Sequence, residues 1–271
     1  MNEPSALRAR ASRAAAALVG VLAAATAAAA APSGYAPIPA GSFASVLPGL
    51  DVGAPVEVAA FALRTEPVTE AEFLAFVTAH PQWRRDRAPR LLAEPRYLQH
   101  WPAAERIDPA RAQWPVTSVS WFAARAYCES EQARLPTWHE WEYAAAADAT
   151  RRDARTDPAW RERILGWYSR PNGDGPGAVG GEANAYGVRD LHGLVWEWVD
   201  DANALMVSAD NREQGDPDRQ KFCGAGALSM QDRDNYAVLM RIAMLSSLGG
   251  ADVTSNLGFR CARSTSSGGT R

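Results

Sequence analysis

The chain has 271 residues, of which 47% are hydrophobic and 22% are charged, and its formal net charge is -3. This is an ordinary globular balance, and the length suits one large domain or two small ones. The small negative charge, and the absence of a dense lysine or arginine run after residue 31, argue against nucleic acid as a partner. We interpret the basic cluster Arg84–Arg90 as a solvated surface loop in preference to a phosphate site.

The N-terminus has the pattern of a secretory signal. Three arginines between residues 8 and 13 precede an alanine-dominated run, Ala14–Ala31, that ends in small residues. We therefore predict a cleaved signal peptide over residues 1–31. The alternative is a retained membrane anchor, which is disfavoured because alanine and glycine make a weakly apolar segment. The mature protein is expected to be periplasmic or secreted, with no stable membrane span after cleavage.

An exported protein matures in an oxidising compartment, so the cysteines of this chain matter. There are three of them, Cys128, Cys223 and Cys261. Three cysteines permit one disulfide and leave one thiol over, and the sequence alone leaves all three pairings open.

The first half of the chain predicts short strands and one well-marked helix. Tyr35–Phe43 and Val56–Leu63 have the character of strands, with glycine and proline turns between them. Thr69 and Glu72 form a capping box, which predicts a helix that ends before Pro81. The following segment to Trp114 lacks a sustained period, so we expect a long irregular stretch held down by its tryptophans.

Two short packed helices are predicted next. Ser120 caps the first, and the capping box of Thr137 with Glu140 opens the second. The glycine-rich segment Pro171–Glu182 is predicted to be a loop, and it lacks the strand-to-helix context of a phosphate site.

Apolar runs mark the C-terminal part. Phe222–Leu228 and Tyr236–Leu245 are apolar enough for buried strands, although the second fits a helix equally well. Asn256–Arg263 is predicted as the last strand. Residues 265–271 are predicted to be a disordered tail. The pattern as a whole predicts an α+β fold with much coil, in a single domain over residues 32–264.

The stretch Ala183–Asp201 concentrates glycines, tryptophans and a lone carboxylate. Glu197 lies between Trp196 and Trp198, so on a strand its side chain faces away from both rings. A carboxylate beside a tryptophan-lined core needs a partner or a cation.

This stretch resembles the Asn-x-x-Gly-Leu-x-Asp-Met-x-Gly-Asn-Val-Trp-Glu-Trp signature of the formylglycine-generating enzyme family, also called sulfatase-modifying factors. Pro115–Tyr143 and the NLGFRC segment, Asn256–Cys261, resemble two further family patterns. The resemblance implies an irregular α+β domain of the C-type-lectin-like kind. It also implies a disulfide between Cys128 and Cys261, which leaves Cys223 as the odd thiol.

Family enzymes oxidise a sulfatase cysteine with molecular oxygen, using copper held by two cysteines five residues apart. Counting back from NLGFRC, Asp232 and Ala237 occupy those two positions. We therefore expect no copper binding by the family mode, since Cu(I) prefers soft thiolate ligands. The residues around this place are candidates for a binding site, and a solvated loop is the equal alternative for the acidic ones. The candidates are Cys223, Asp232, Asp234, Tyr236, Arg241 and Ser246.

Calcium is the metal that the resemblance suggests. In the family a calcium ion lies near the Gly-Asn-Val-Trp-Glu segment, which corresponds to Gly193, Val195 and Glu197 here as candidate ligands. Leu194 replaces an oxygen-bearing asparagine in this segment. The alternative is that Glu197 pairs with an arginine or with backbone amides.

These features predict an exported sulfatase-modifying-factor protein without the copper-binding cysteine pair. We expect an accessory, maturation or binding protein whose partner is a periplasmic protein or peptide, with metalloenzymes among the candidates. The alternatives are an oxidase of the same family that acts on a small molecule or peptide, as in pyoverdine-precursor oxidation, or true formylglycine generation.

Overall fold

The structure is a computed structural model that describes Met1 and residues 34–45, 54–169, 175–202 and 236–265, without the side chains of 236–239. The chain divides into two compact units, Met1–Ala30 and Ala31–Arg271, and all described helices and strands belong to the second. Several predictions lie outside the described residues. They concern the signal peptide, the strand Phe222–Leu228, the candidates Cys223, Asp232 and Asp234, and nearly all of the tail.

The N-terminal strands form two antiparallel pairs. Strands β1 (Tyr35–Ile38) and β4 (Phe61–Arg64) pair with each other, while β2 (Gly41–Phe43) pairs with β3 (Val56–Val58). Each of the two predicted strands is thus divided in two. The break after β1 falls at Pro39, which has no backbone N–H to donate to a ladder.

The C-terminal segment closes the first sheet. Strand β7 (Ala262–Ser264) adds to β4, so the sheet order is β1-β4-β7. Strands β5 (Trp196–Glu197) and β6 (Leu257–Gly258) form a short parallel pair. The predicted last strand is therefore two short strands with different partners.

Helices begin where the capping residues predict. Helix α1 (Glu70–Ala79) and helix α3 (Trp138–Ala145) each have a complete capping box, at Thr69 and Thr137. The hydroxyl of Ser120 accepts the Ala123 N–H at the start of α2 (Trp121–Ser130). The sequence signal was strong at these places because side-chain capping satisfies amide groups that helix ends leave free.

Two more helices complete the described part. Helix α4 (Pro158–Tyr168) is absent from the sequence analysis, although Asp157 as its cap and Pro158 at its first position are typical start signals. Helix α5 (Tyr236–Ser246) covers the apolar run Tyr236–Leu245, for which the sequence allowed either a strand or a helix.

The segment from Pro81 to Trp114 is irregular, as predicted, apart from the 3-10 turns Pro81–Trp83 and Pro109–Arg111. Within it, Arg87 and Arg90 of the basic cluster are exposed, as a surface loop predicts, whereas Arg85 is partly buried. The Arg85 guanidinium donates to the carbonyls of Leu98, Gln99 and Trp101, so it links two parts of the irregular segment.

Tryptophans and a disulfide hold the core. Trp101, Trp138, Trp141 and Trp198 are almost completely buried. A disulfide joins Cys128 of α2 to Cys261 just before β7 and closes a separation of 133 residues. Within the ranges that the structure describes, no helix has the length and apolar character that a bilayer crossing needs.

Candidate functional site

The strand β5 separates the core from an open cleft. Glu197 faces the core and has no exposed surface, whereas the neighbouring Trp196 faces the cleft and is half-buried. Pairing with β6 fixes this arrangement, since the backbone N–H of Trp196 donates to the Asn256 carbonyl and that of Trp198 donates to the Gly258 carbonyl. A Cβ on Gly258 would lie 2.5 Å from the Val116 carbonyl oxygen, so only glycine permits this close approach.

On the core side, Glu197 forms a buried ion pair with Arg260. The Nη2 and Oε1 atoms are 2.7 Å apart, and Nε of Arg260 lies 2.8 Å from Oε2. The indole N–H of Trp141 also donates to Oε2 at 2.8 Å. The other N–H groups of Arg260 donate to the backbone carbonyls of Arg64, Thr65 and Arg189.

This arrangement bears on the calcium prediction. Both carboxylate oxygens of Glu197 already accept N–H groups, and the pairing with an arginine was the alternative interpretation. A calcium ligand needs free oxygen lone pairs, so the Glu197 carboxylate as arranged here does not fit that role. Among the described residues no group of three acidic, histidine or cysteine side chains is placed to hold a metal ion. Calcium binding through Gly193, Val195 and Glu197 stays a prediction.

Arg241 lies beneath the same strand. Its guanidinium stands over the Trp141 ring at 3.6 Å and donates to the backbone carbonyl of Glu197. Burial lowers the pKa of Arg241 to about 10, although Glu197 opposes the shift. The second candidate on this helix, Ser246, donates its hydroxyl to the Ala243 carbonyl of its own helix turn.

The cleft on the other face of β5 has a volume of about 820 Å³. Ligand sites are commonly concave, with apolar walls and a few polar groups, and this volume lies within their usual range. Its lining combines three aromatic rings from α4 and β5, a histidine–glutamate pair, one arginine and several hydroxyl and amide groups. The lining residues are Glu70, His100, Arg111, Trp114, Pro115, Thr117, Ser118, Trp167, Tyr168, Gly175, Pro176, Gly193, Leu194, Trp196, Ser255 and Asn256.

The histidine–glutamate pair joins the start of α1 to the irregular segment. Nε2 of His100 is 3.1 Å from Oε1 of Glu70, whose side chain is 3% exposed while that of His100 is 24% exposed. Because a carboxylate only accepts, its presence sets Nε2–H as the donor and leaves Nδ1 as the remaining polar atom of the ring.

Three rings pack together as an aromatic wall. The centroid of Tyr168 lies 4.6 Å from that of Trp167 and 4.9 Å from that of Trp196. Burial raises the pKa of Tyr168 to about 12, so its hydroxyl stays protonated at neutral pH. The wall is amphipathic, with one phenolic hydroxyl and two indole N–H groups.

Arg111 supplies positive charge to the cleft. Its guanidinium stacks on the Trp114 ring at 4.8 Å, a cation–π contact. Gly175 packs on the same indole, since a Cβ there would lie 2.4 Å from a ring carbon, and its φ is +115°. The backbone of residue 175 therefore holds the ring in place.

The structure brings together few of the predicted site residues. Gly193 and Leu194 line the cleft, whereas Glu197, Arg241 and Ser246 do not. The side chain of Tyr236 is not described, and neither are those of Ala237, Cys223, Asp232 and Asp234. The sequence analysis missed Glu70, His100, Arg111 and the Trp167–Tyr168 pair.

The family profile named Sulfatase-modifying factor enzyme 1-like domain matches residues 24–265. The chain belongs to this family. This match confirms the predicted resemblance. The described helices, short sheets and coil confirm the α+β fold class.

Similar proteins of the sulfatase-modifying-factor family carry several names. The formylglycine-generating enzyme of Streptomyces coelicolor is 35% identical over 60% of this chain and 58% of its own length. The bovine Inactive C-alpha-formylglycine-generating enzyme 2 is 31% identical over 56% of this chain and 51% of its own. Hercynine oxygenase of Mycobacterium tuberculosis is 32% identical over 53% of this chain and 38% of its own length. The chain spans about half the length of the curated relatives it matches.

Among solved structures, PvdO from Pseudomonas aeruginosa is similar, with a TM-score of 0.44 and 19% identity over 85% of this chain and 94% of that one. CarF has a TM-score of 0.43 and 15% identity over 84% of this chain and 97% of the CarF chain.

Proposed function

We propose that this chain is a binding protein of the sulfatase-modifying-factor family that has lost the copper chemistry carried by two thiolates. It acts as an accessory or maturation protein for an exported protein or peptide, with metalloenzymes among the candidate partners. The cleft beside β5 is its binding site.

The cysteine count carries this proposal. The chain has three cysteines, and two of them are joined in the disulfide Cys128–Cys261. Cys223 is then the one remaining thiol, so a single chain cannot supply a pair of thiolates. Cu(I) strongly prefers such soft ligands, and the hard carboxylate of Asp232 is a poor substitute for one of them. Similarity to a bovine protein whose name calls it inactive is in keeping with this proposal.

The decisive experiment is an activity assay with copper and oxygen supplied. The purified protein is incubated with a Cys-x-Pro-x-Arg peptide, and mass spectrometry follows the conversion of the thiol to an aldehyde. We expect no conversion, while the Streptomyces coelicolor formylglycine-generating enzyme serves as the positive control. Oxygen consumption without aldehyde formation would instead favour the alternative of an oxidase with another substrate.

A variant decides how a positive result is interpreted. If wild-type protein converts the peptide and Cys223→Ser abolishes conversion, a one-thiol mechanism operates and the proposal is wrong. If conversion survives Cys223→Ser, the chemistry needs no free cysteine at all, and the proposal is wrong again. The matched control is Ser247→Ala, which changes an exposed hydroxyl that donates to the Met244 carbonyl one turn back.

Export is a separate part of the proposal. It is supported by the arginines followed by the alanine run within residues 1–31. A fusion of residues 1–35 to alkaline phosphatase, which is active only after export, should be active in a bacterial host and processed near residue 31. An inactive fusion would contradict export, and an active but unprocessed one would indicate a retained anchor.

A further inference from the structure

We infer that the cleft recognises a ligand in which a carboxylate lies close to a planar ring, and that Arg111 and the aromatic wall are its specificity-determining groups. This inference rests on the proposed function, because it names the class of ligand for the same cleft. An aromatic carboxylic acid and a peptide that ends in an aromatic residue share this chemistry.

The charges of the cleft point to an anion. The acidic and basic side chains in the described lining are Glu70, His100 and Arg111. Glu70 is committed to His100 by the 3.1 Å contact. Arg111 stacks on Trp114, and no carboxylate among the described residues pairs with it. A guanidinium has a planar fork of donors, which matches a carboxylate in geometry as well as in charge.

The aromatic wall points to a planar group. Trp167, Tyr168 and Trp196 lie within 5.8 Å of one another by their ring centroids, and all three line the cleft. Such rings bind a flat apolar group by stacking or by edge-to-face contact, beyond the effect of buried area. Ordered, mutually packed rings also lose little conformational entropy on binding.

The His100–Glu70 pair adds a polar anchor. Glu70 fixes the ring of His100 by accepting its Nε2–H, so Nδ1 can accept an N–H or O–H from a bound molecule. A peptide offers a backbone amide for this contact, while a simple aromatic acid does not. The two sources of ligand therefore differ in one predicted interaction.

Isothermal titration calorimetry with four probes tests the inference on the full mature chain. The probes are 3-phenylpropionate, its primary amide, 3-cyclohexylpropionate and the tripeptide Gly-Gly-Phe. We expect 3-phenylpropionate to bind about tenfold tighter than its amide, which lacks the charge, and tighter than the cyclohexyl acid, which lacks the planar ring. Tighter binding of the tripeptide identifies a peptide terminus as the source, and tighter binding of the free acid identifies a small molecule.

Variants assign the effect to residues. Arg111→Gln should lower the affinity for 3-phenylpropionate about tenfold and remove the preference over the amide, and Arg111→Lys should restore part of it. Trp196→Leu should remove the preference over the cyclohexyl acid. The control is Arg125→Gln, because Arg125 also stacks on an indole, that of Trp121 at 5.4 Å, but does not line the cleft.

Equal binding of the acid and the amide by the wild-type protein would overturn the inference, as would no binding of any probe at millimolar concentration. A loss of preference in Arg125→Gln would overturn the assignment to Arg111. None of these results affects the peptide-oxidation assay, so failure of the ligand class and failure of the proposed function are distinguished.

Discussion

Glu197 and Glu70 are both buried glutamates, but Glu197 stabilises the core whereas Glu70 orients a side chain in the cleft. The carboxylate of Glu197 has no exposed surface and accepts N–H groups from Arg260 and Trp141 on both oxygens. The carboxylate of Glu70 contacts Nε2 of His100 at the wall of the cleft. A buried charge whose two oxygens both accept N–H groups supports the fold, whereas one that orients a partly exposed histidine prepares a surface for binding.

The difference predicts a large gap in stability between two matched substitutions. Glu197→Gln leaves the guanidinium of Arg260 buried without its counter-charge, so the free energy of unfolding should fall by about 3–5 kcal/mol. Glu70→Gln keeps a side chain that can accept from His100, and should cost about 1 kcal/mol. Denaturant unfolding followed by tryptophan fluorescence measures both. Equal losses would show that the two glutamates are not distinguished by their surroundings.

Removing the disulfide shows how much of the stability around the buried Glu197–Arg260 pair depends on this covalent bond. Cys261 directly follows Arg260, and its bond to Cys128 closes a separation of 133 residues. In the chain-entropy treatment such a closure contributes roughly 5 kcal/mol, and loss of a native disulfide typically costs about 2–5 kcal/mol. Unfolding of the Cys128→Ala, Cys261→Ala double variant measures this contribution.

Two results would argue against that account. Non-reducing peptide mapping that found Cys223 in the bridge would contradict the pairing. A double variant as stable as the wild-type protein would show that the noncovalent core, including the Glu197–Arg260 pair, holds this segment alone. Cys223→Ala is the control, and it should leave the disulfide intact.

A pH dependence should arise on the core side, at His192. Its Nε2 lies 2.9 Å from the Ala145 carbonyl, its ring packs on Trp141, and burial lowers its pKa to about 4. The unfolded chain binds a proton near pH 6.5 and the folded chain does not, so stability is fully present above pH 6.5. It is lost as the pH falls from 6.5 towards 4, by on the order of 2 kcal/mol.

Unfolding measured at pH 7 and pH 4.5 tests this slope. His192→Gln should remove it, since glutamine has no titratable proton in this range. The control His80→Gln lies at the end of α1 and should keep the wild-type slope. An unchanged slope in His192→Gln would place the acid sensitivity elsewhere in the chain.

The smallest effect on stability is expected for an exposed ion pair, in contrast to the buried Glu197–Arg260 pair. Arg125 and Glu129 form an i,i+4 pair on α2, with side chains 52% and 56% exposed. Water and salt screen such a pair, so Glu129→Ala, which leaves the stacking of Arg125 on Trp121 in place, should change the free energy of unfolding by about 0.3–0.5 kcal/mol. A change comparable to that of Glu197→Gln would contradict the view that burial sets the difference between the two pairs.

Local signals determined the helix starts and the family. The capping boxes at Thr69 and Thr137 could be predicted from three-residue spacings, because each is a contact between near neighbours in the chain. The tryptophan-rich motif around Glu197 sufficed for the family and the α+β class. It also required a partner for Glu197, because an isolated buried carboxylate is too costly to persist.

Only the tertiary structure decided which partner that would be. Arg260 lies 63 residues beyond Glu197, and no spacing rule connects them, since the parallel pairing of β5 with β6 brings them together. The same holds for the cleft, where residues of α1, the irregular segment, α4 and β5 converge. The sequence determines what each side chain can do chemically, while long-range packing determines which side chains meet, because contact between distant segments follows from the burial of the whole core.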